Sequence, residues 1–86
     1  MEIEFDPNKN KKNKEKHGID FIEAQKLWED PYRIEIPAKN LDEPRYLLIG
    51  KINDKHWAAI FTYRKNRIRI ISVRRARKNE KEIYEG

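Results

Sequence analysis

From residue 33 onward, hydrophobic and polar positions alternate in short runs. Ile34 and Ile36 interleave with Arg33 and Glu35 before Pro37 closes the run. Arg45 to Ile52, His56 to Arg64 and Arg67 to Val73 follow, separated by Asn53-Asp54 and Lys65-Asn66. A period of two bounded by turn residues predicts strands, here a three-strand meander with tight turns. With Lys65-Asn66 as a two-residue turn, Arg64 faces Arg67. One hairpin face then carries Trp57, Ala59, Phe61, Tyr63, Ile68 and Ile70, which reads as a core, and Tyr46 and Trp28 are expected to join it. The other face carries Ala58, Ile60, Thr62 and Arg64 beside Arg67, Arg69, Ile71 and Val73. Ala38 to Pro44 reads as a polar loop.

The first third of the chain has helical spacing instead. Ile3 and Phe5 alternate with Glu2 and Glu4 as a short strand, and Asp6-Pro7 then opens a helix, with Asp6 as N-cap and Pro7 at the first helical position. Gly18 should stop it after His17. Asn8 to His17 contains no apolar residue, so burial cannot hold this helix. Its inward stripe is predicted to be Asn10, Asn13 and His17, bound through hydrogen bonds. A second helix follows, with Ile19 as hydrophobic staple, capping-box spacing at Asp20 and Glu23, and an apolar face of Phe21, Ala24, Gln25, Leu27 and Trp28. Asp30-Pro31 ends it. A last helix is expected from Asn79, as N-cap, to Glu85.

These elements predict one α+β domain over residues 1–86. A small antiparallel sheet, made of the C-terminal meander plus short N-terminal strands, packs with two N-terminal helices and a C-terminal helix.

Composition changes the picture in two ways. Charged residues make up 41% of the 86 positions, well above the usual quarter or so, yet Leu, Ile, Val and Phe remain just above the level of about 20% below which chains tend to stay disordered. The chain should therefore fold with a heavily charged surface. It has no cysteine and two separated histidines, which removes disulfide frameworks, Cys-based zinc sites and thiol nucleophiles; neither a metal nor another cofactor is expected. Its longest apolar run, Trp57 to Phe61, is far too short to span a membrane, and the acidic start lacks the order of a signal peptide. The expectation is a cytoplasmic protein.

Net charge is +5, unevenly placed: residues 62–86 hold nine bases and three acids. Arginines dominate there, whereas lysines supply the cluster Lys9 to Lys16. A guanidinium forks onto phosphate or carboxylate in a fixed geometry, and lysine is a mobile point charge. Arg64, Arg67 and Arg69 around Thr62 are costly on one face unless something anionic meets them. Hydration at a frayed hairpin tip, a polyanion, or an acidic protein would each serve.

Two segments carry a resemblance. Phe5-Asp6-Pro7 with Lys9, then Asn13, Lys16-His17-Gly18, Phe21 and Glu23-Ala24, resembles the opening signature of BrnT-type toxins of bacterial toxin–antitoxin pairs. Arg67 to Ala76, followed by Glu80 and Tyr84, is similar to that family's closing signature, and Asp30-Pro31 fits between them. The resemblance implies a RelE-like α+β fold and an endoribonuclease that cleaves RNA and stops translation. It also implies a neighbouring BrnA antitoxin with a ribbon-helix-helix DNA-binding domain, a toxin homodimer, and a hetero-tetramer with the antitoxin.

Metal-free RNA cleavage needs a base for the 2′-hydroxyl, an acid for the departing 5′-oxygen, and cations around phosphorus. His17, at a helix C-terminus where the dipole favours its protonated form, is the candidate titrator, with a hydrogen-bonded anchor as its alternative role. His56 is expected to be structural. Arg64, Arg67, Arg69 and Arg74 are the candidate catalytic cations, and Lys9, Lys16, Arg75 and Arg77 the candidate RNA-binding residues. Glu80 or Tyr84 could serve as base or stacking platform, so the base stays unassigned. A non-catalytic nucleic-acid-binding module or a protein-interaction domain would share the same charge pattern.

Overall fold

The computed structural model describes residues 2–38 and 43–86. Its sheet has five strands in the order β1-β5-β4-β3-β2. They are β1 (Glu2–Glu4), β2 (Ile34–Ala38), β3 (Arg45–Ile52), β4 (Lys55–Arg64) and β5 (Arg67–Arg75); the helices are α1 (Pro7–His17), α2 (Phe21–Ala24) and α3 (Lys78–Glu85). The meander β3-β4-β5 lies where alternation put it, and β2 joins it antiparallel. β1 differs: it pairs with β5 in parallel, so the sheet is mixed rather than antiparallel. Pro37 belongs to β2 rather than ending it, as an edge strand permits. Of the predicted loop, residues 39–42 lie outside the described residues.

Lys65 and Asn66 both have positive φ, 44° and 68°, as the tightest two-residue hairpins require. Arg64 faces Arg67, and the expected register holds as far as Phe61 and Ile70. There a bulge intervenes, because Ile60 pairs with Ser72. One extra residue inverts the alternation beyond it. Val73, expected beside the arginines, is therefore fully buried in the core with Ile68 and Ile70. The bulge also sends Arg75 to Trp57, where its guanidinium lies 5.4 Å from the ring centroid.

The core gathers Ile19, Phe21, Ala24, Leu27, Leu48, Trp57, Ala59, Phe61, Ile68, Ile70 and Val73, with Trp28 and Tyr46 half-buried against it. Tyr63 shares that face but is exposed, its hydroxyl donating to Glu35 at 2.7 Å. The predicted second helix is α-helical only to Ala24 and continues as a 3-10 helix, Gln25–Glu29. That tighter winding seats Leu27 on Gly50, where a Cβ would meet the leucine Cδ2 at 3.0 Å.

α1 starts and stops as predicted. Asp6 accepts from the Asn8 N–H, and Gly18 takes a left-handed φ of 77°. Asn13 is the buried residue of this polar helix. Its Nδ2 donates to the carbonyls of Ile19 and Val73, and its Oδ1 accepts from the Val73 N–H. Asn10 accepts from the Phe21 N–H at 2.6 Å. The polar partners that α1 needed are thus backbone groups.

α3 begins at Lys78, with Arg77 rather than Asn79 as its cap. Glu80 fixes this start by accepting from the Arg77 N–H at 2.7 Å while gripping Arg74 through two hydrogen bonds. Asp30 serves the opposite sheet edge. Its carboxylate accepts from the Lys51 N–H, the Tyr32 N–H and the Tyr84 hydroxyl.

Candidate nucleic-acid interface

The second face of the sheet is built from the positions that alternate with the core. Two rows cross it in register: Ile34, Ile49 and Ala58, then Ile36, Leu47 and Ile60. Ile49 and Ala58 are fully buried, whereas Ile36, Leu47, Ile60 and Ile71 stay half-exposed. Beyond them Thr62 pairs with Arg69, and Arg64 with Arg67 at the hairpin tip. The hairpin register thus brings three of the predicted arginines together on one end of an open face.

Each of the three meets a carboxylate. Arg67 pairs with Glu2 at 3.0 Å, Arg69 with Glu4 at 3.5 Å and Arg64 with Glu43 at 3.6 Å. The parallel register of β1 sets two of these pairs, since Glu2 lies opposite Arg67 and Glu4 opposite Arg69. The like-charge cost foreseen for this corner is therefore offset within the chain. The Arg67–Glu2 and Arg64–Glu43 pairs are the more exposed, and surface pairs of this kind contribute about 0–1 kcal/mol each; the Arg69–Glu4 pair is half-buried. Between β1 and the tip lies a cleft of about 500 Å³ lined by Glu4, Arg64, Lys65 and Arg67.

Arg74 stands apart. Its two hydrogen bonds to Glu80, 2.8 and 2.9 Å, are made with a carboxylate that is 5% exposed. The Glu80 contact holds the guanidinium charged, although burial opposes this. Arg74 in turn draws the Glu80 carboxyl below its ordinary range against the cost of burial, with help from the Arg77 N–H. Arg74 joins β5 to α3. Arg75 lies over Trp57, and Arg77 caps α3 through its backbone.

His17 and Lys16 lie one turn beyond Asn13, which is fixed to Val73. Val73 is four residues past Arg69, roughly 13 Å along the strand. These two residues therefore belong to the other end of β5 from the arginine cleft. Lys9 is exposed near the start of α1. Asn10 and Asn13 do the anchoring considered for His17, and among the described residues the His17 ring makes no hydrogen bond. His56, expected to be structural, is engaged within the fold: its Nε2 lies 2.6 Å from Glu85, and its ring packs edge-on against Tyr84. Tyr84 is taken up by Asp30, and burial followed by that carboxylate pushes its hydroxyl up to about 12.

Glu4 was missing from the sequence-based candidates. It reads there only as the polar half of a short alternation, and its place in the cleft depends on the parallel pairing of β1 with β5, for which the sequence carries no local signal. Among the described residues, no three His, Asp or Glu side chains are grouped to hold a metal ion, and no helix is long and apolar enough to cross a membrane. Among curated proteins none matches this chain. A family model described as the ribonuclease toxin, BrnT, of a type II toxin–antitoxin system matches residues 5–80.

Proposed function

The chain belongs to the BrnT family of ribonuclease toxins of type II toxin–antitoxin systems, and from that premise we propose that it cleaves RNA without a metal and thereby stops translation, with the open sheet face as its RNA-binding surface. The observation that carries this reading is the arginine corner. Arg64, Arg67 and Arg69 project from a hydrogen-bonded hairpin, which places them more rigidly than a loop would, and Arg64 and Arg67 share a cleft with Lys65. Cations preorganised around a phosphodiester stabilise the charge that its oxygens gain in the transition state.

Lys9 and Lys16 extend the basic surface along α1. His17 is proposed as a proton-transfer group only for RNA that reaches that end of β5. Arg74 fixes α3 at the end of β5 away from the arginine corner. Arg75 and Arg77 are left as peripheral contacts to the RNA backbone.

The type II assignment implies an antitoxin, proposed here to be BrnA-like with a ribbon-helix-helix domain, joined to a toxin dimer in a hetero-tetramer in the cytoplasm. The half-exposed row Ile36, Leu47, Ile60 and Ile71 beside the arginines supports inhibition by occlusion: an apolar, acidic segment would cover both.

Labelled single-stranded RNA incubated with purified protein and EDTA tests the activity. Cleavage that is lost in an Arg64→Ala, Arg67→Ala, Arg69→Ala triple variant is the expected result. Binding without turnover at high protein would replace the nuclease with a non-catalytic RNA-binding module, and no affinity at low salt would leave a protein-interaction domain.

A further inference from the structure

We infer that Glu4 is the general base of this cleft, with Lys65 as the general acid. The inference rests on the ribonuclease reading above and supplies a base beside the arginines, where that reading has none. Of the four residues that line the cleft, Arg64, Lys65 and Arg67 are cations and Glu4 is the carboxylate. The titrator suggested by the sequence, His17, is held at the other end of β5.

Glu4 has the two properties a base at such a position needs. It is oriented, because it stands on a strand paired to β5 and its Oε2 lies 3.5 Å from Arg69 Nη1. It is also reachable, since about a third of its side chain is exposed. The neighbouring acids differ: Glu2 and Glu43 pair with arginines of the same corner but do not line the cleft. Arg69 acts as a positioning residue, holding the carboxylate in place through that contact.

The step balances with RNA alone. A Glu4 oxygen takes the proton of a ribose 2′-hydroxyl as that oxygen bonds to the adjacent phosphorus. Arg64 and Arg67 meet the charge gained by the non-bridging oxygens. The bond from phosphorus to the 5′-oxygen breaks, its electron pair leaves with that oxygen, and the Lys65 ammonium supplies a proton. The products are a 2′,3′-cyclic phosphate and a 5′-hydroxyl end.

The test compares wild type, Glu4→Gln and Glu2→Gln, which make the same charge change on the same strand. Cleavage of single-stranded RNA, binding of a 2′-deoxy analogue that cannot be cleaved, and thermal melting are measured for each. Loss of a general base costs about 10²–10⁴ in rate. Glu4→Gln should lose that much in kcat, bind the analogue at least as tightly as wild type, melt normally, and lose the acid limb of the pH–rate profile. Glu2→Gln should stay within a few-fold of wild type. If Glu4→Gln cleaves within about tenfold of wild type, or if both variants fall together, Glu4 is a counter-ion of Arg69 and the inference is overturned while the nuclease reading stands. If wild type leaves RNA intact, the nuclease reading itself fails and takes the inference with it.

Discussion

Asn13 pairs with Val73 as one peptide pairs with another. Its amide donates to the Val73 carbonyl at 2.9 Å and accepts from the Val73 N–H at 3.1 Å. β1 pairs with β5 only from Arg67 to Arg69, and Asn13 meets β5 four residues further on, at Val73. Its second amide hydrogen goes to the Ile19 carbonyl at 2.8 Å. One side chain therefore joins α1, the start of α2 and the sheet.

Replacing Asn13 by Ala should leave three backbone groups without these partners. At about 1–3 kcal/mol for a buried polar group left unsatisfied, partly relieved by water, the expected loss is roughly 2–4 kcal/mol. In a domain this size that lowers Tm by about 10 °C or more. Asn13→Asp should be no better, since a carboxylate cannot donate to either carbonyl. Calorimetry of the two variants checks both statements.

The Arg74–Glu80 pair gives a pH dependence with a definite sign. The Glu80 carboxyl is held below its ordinary value, first by the Arg74 hydrogen bonds, so the folded state binds that proton less readily than the unfolded chain. Its contribution is present above the ordinary value of 4.5 and is lost as pH falls through the lower folded value. Tm should drop on acidification below about pH 4.5, and a Glu80→Gln variant, less stable at neutral pH, should show a shallower acid decline.

Two of the four tyrosines should ionise late. Tyr63 is pushed up to about 12 by burial and then by Glu35, and Tyr84 to about 12 by burial and then by Asp30. In both, the neutral hydroxyl is the donor that a carboxylate needs. Their contribution is intact below the ordinary value of 10.0 and disappears as pH rises through about 12. Phenolate absorbance should show this delay, and Tyr63→Phe and Tyr84→Phe should each remove one late-titrating group.

The four β5-hairpin arginines should separate into two classes. Arg64→Ala and Arg67→Ala each break an exposed pair and Arg69→Ala a half-buried one, so about 0–1 kcal/mol of stability is at stake for each of the first two; all three should weaken RNA binding and flatten its salt dependence. Arg74→Ala strands a nearly buried carboxylate and should lower Tm by several degrees or more. Melting curves run beside RNA titrations at two salt concentrations distinguish the classes.

His17→Ala should leave both Tm and antitoxin binding close to wild type, because Asn10 and Asn13 hold α1. RNA cleavage by this variant is the informative measurement. With Glu4 as the base, short substrates confined to the hairpin tip should be cleaved at nearly the wild-type rate.

Much of the fold was legible because its determinants are local. Asp6, Pro7 and Gly18 bound α1, and Asp20 with Glu23 opens α2. Lys65-Asn66 set the register that brought Arg64, Arg67 and Arg69 together. The bulge opposite Ile60 has no comparable mark, and Val73 was misplaced for that reason. The recognised signatures are largely a set of internal pairs: Asn13 with Val73, Arg74 with Glu80, and Asp30 with Tyr84. They were legible as a family pattern because the fold needs them, and such a pattern says little about which groups meet substrate. The carboxylates facing the arginines were hidden by distance along the chain, since Glu2 and Glu4 reach the hairpin tip only through a parallel pairing.

The same amide that ties α1 to the sheet also guards it. Without Asn13, the β5 edge at Val73 would present a free donor and acceptor, a template on which an extended segment of another molecule could add as a sixth strand. The polar helix is thus a stopper against runaway self-association, made from a residue that competes for backbone contacts without offering a backbone of its own.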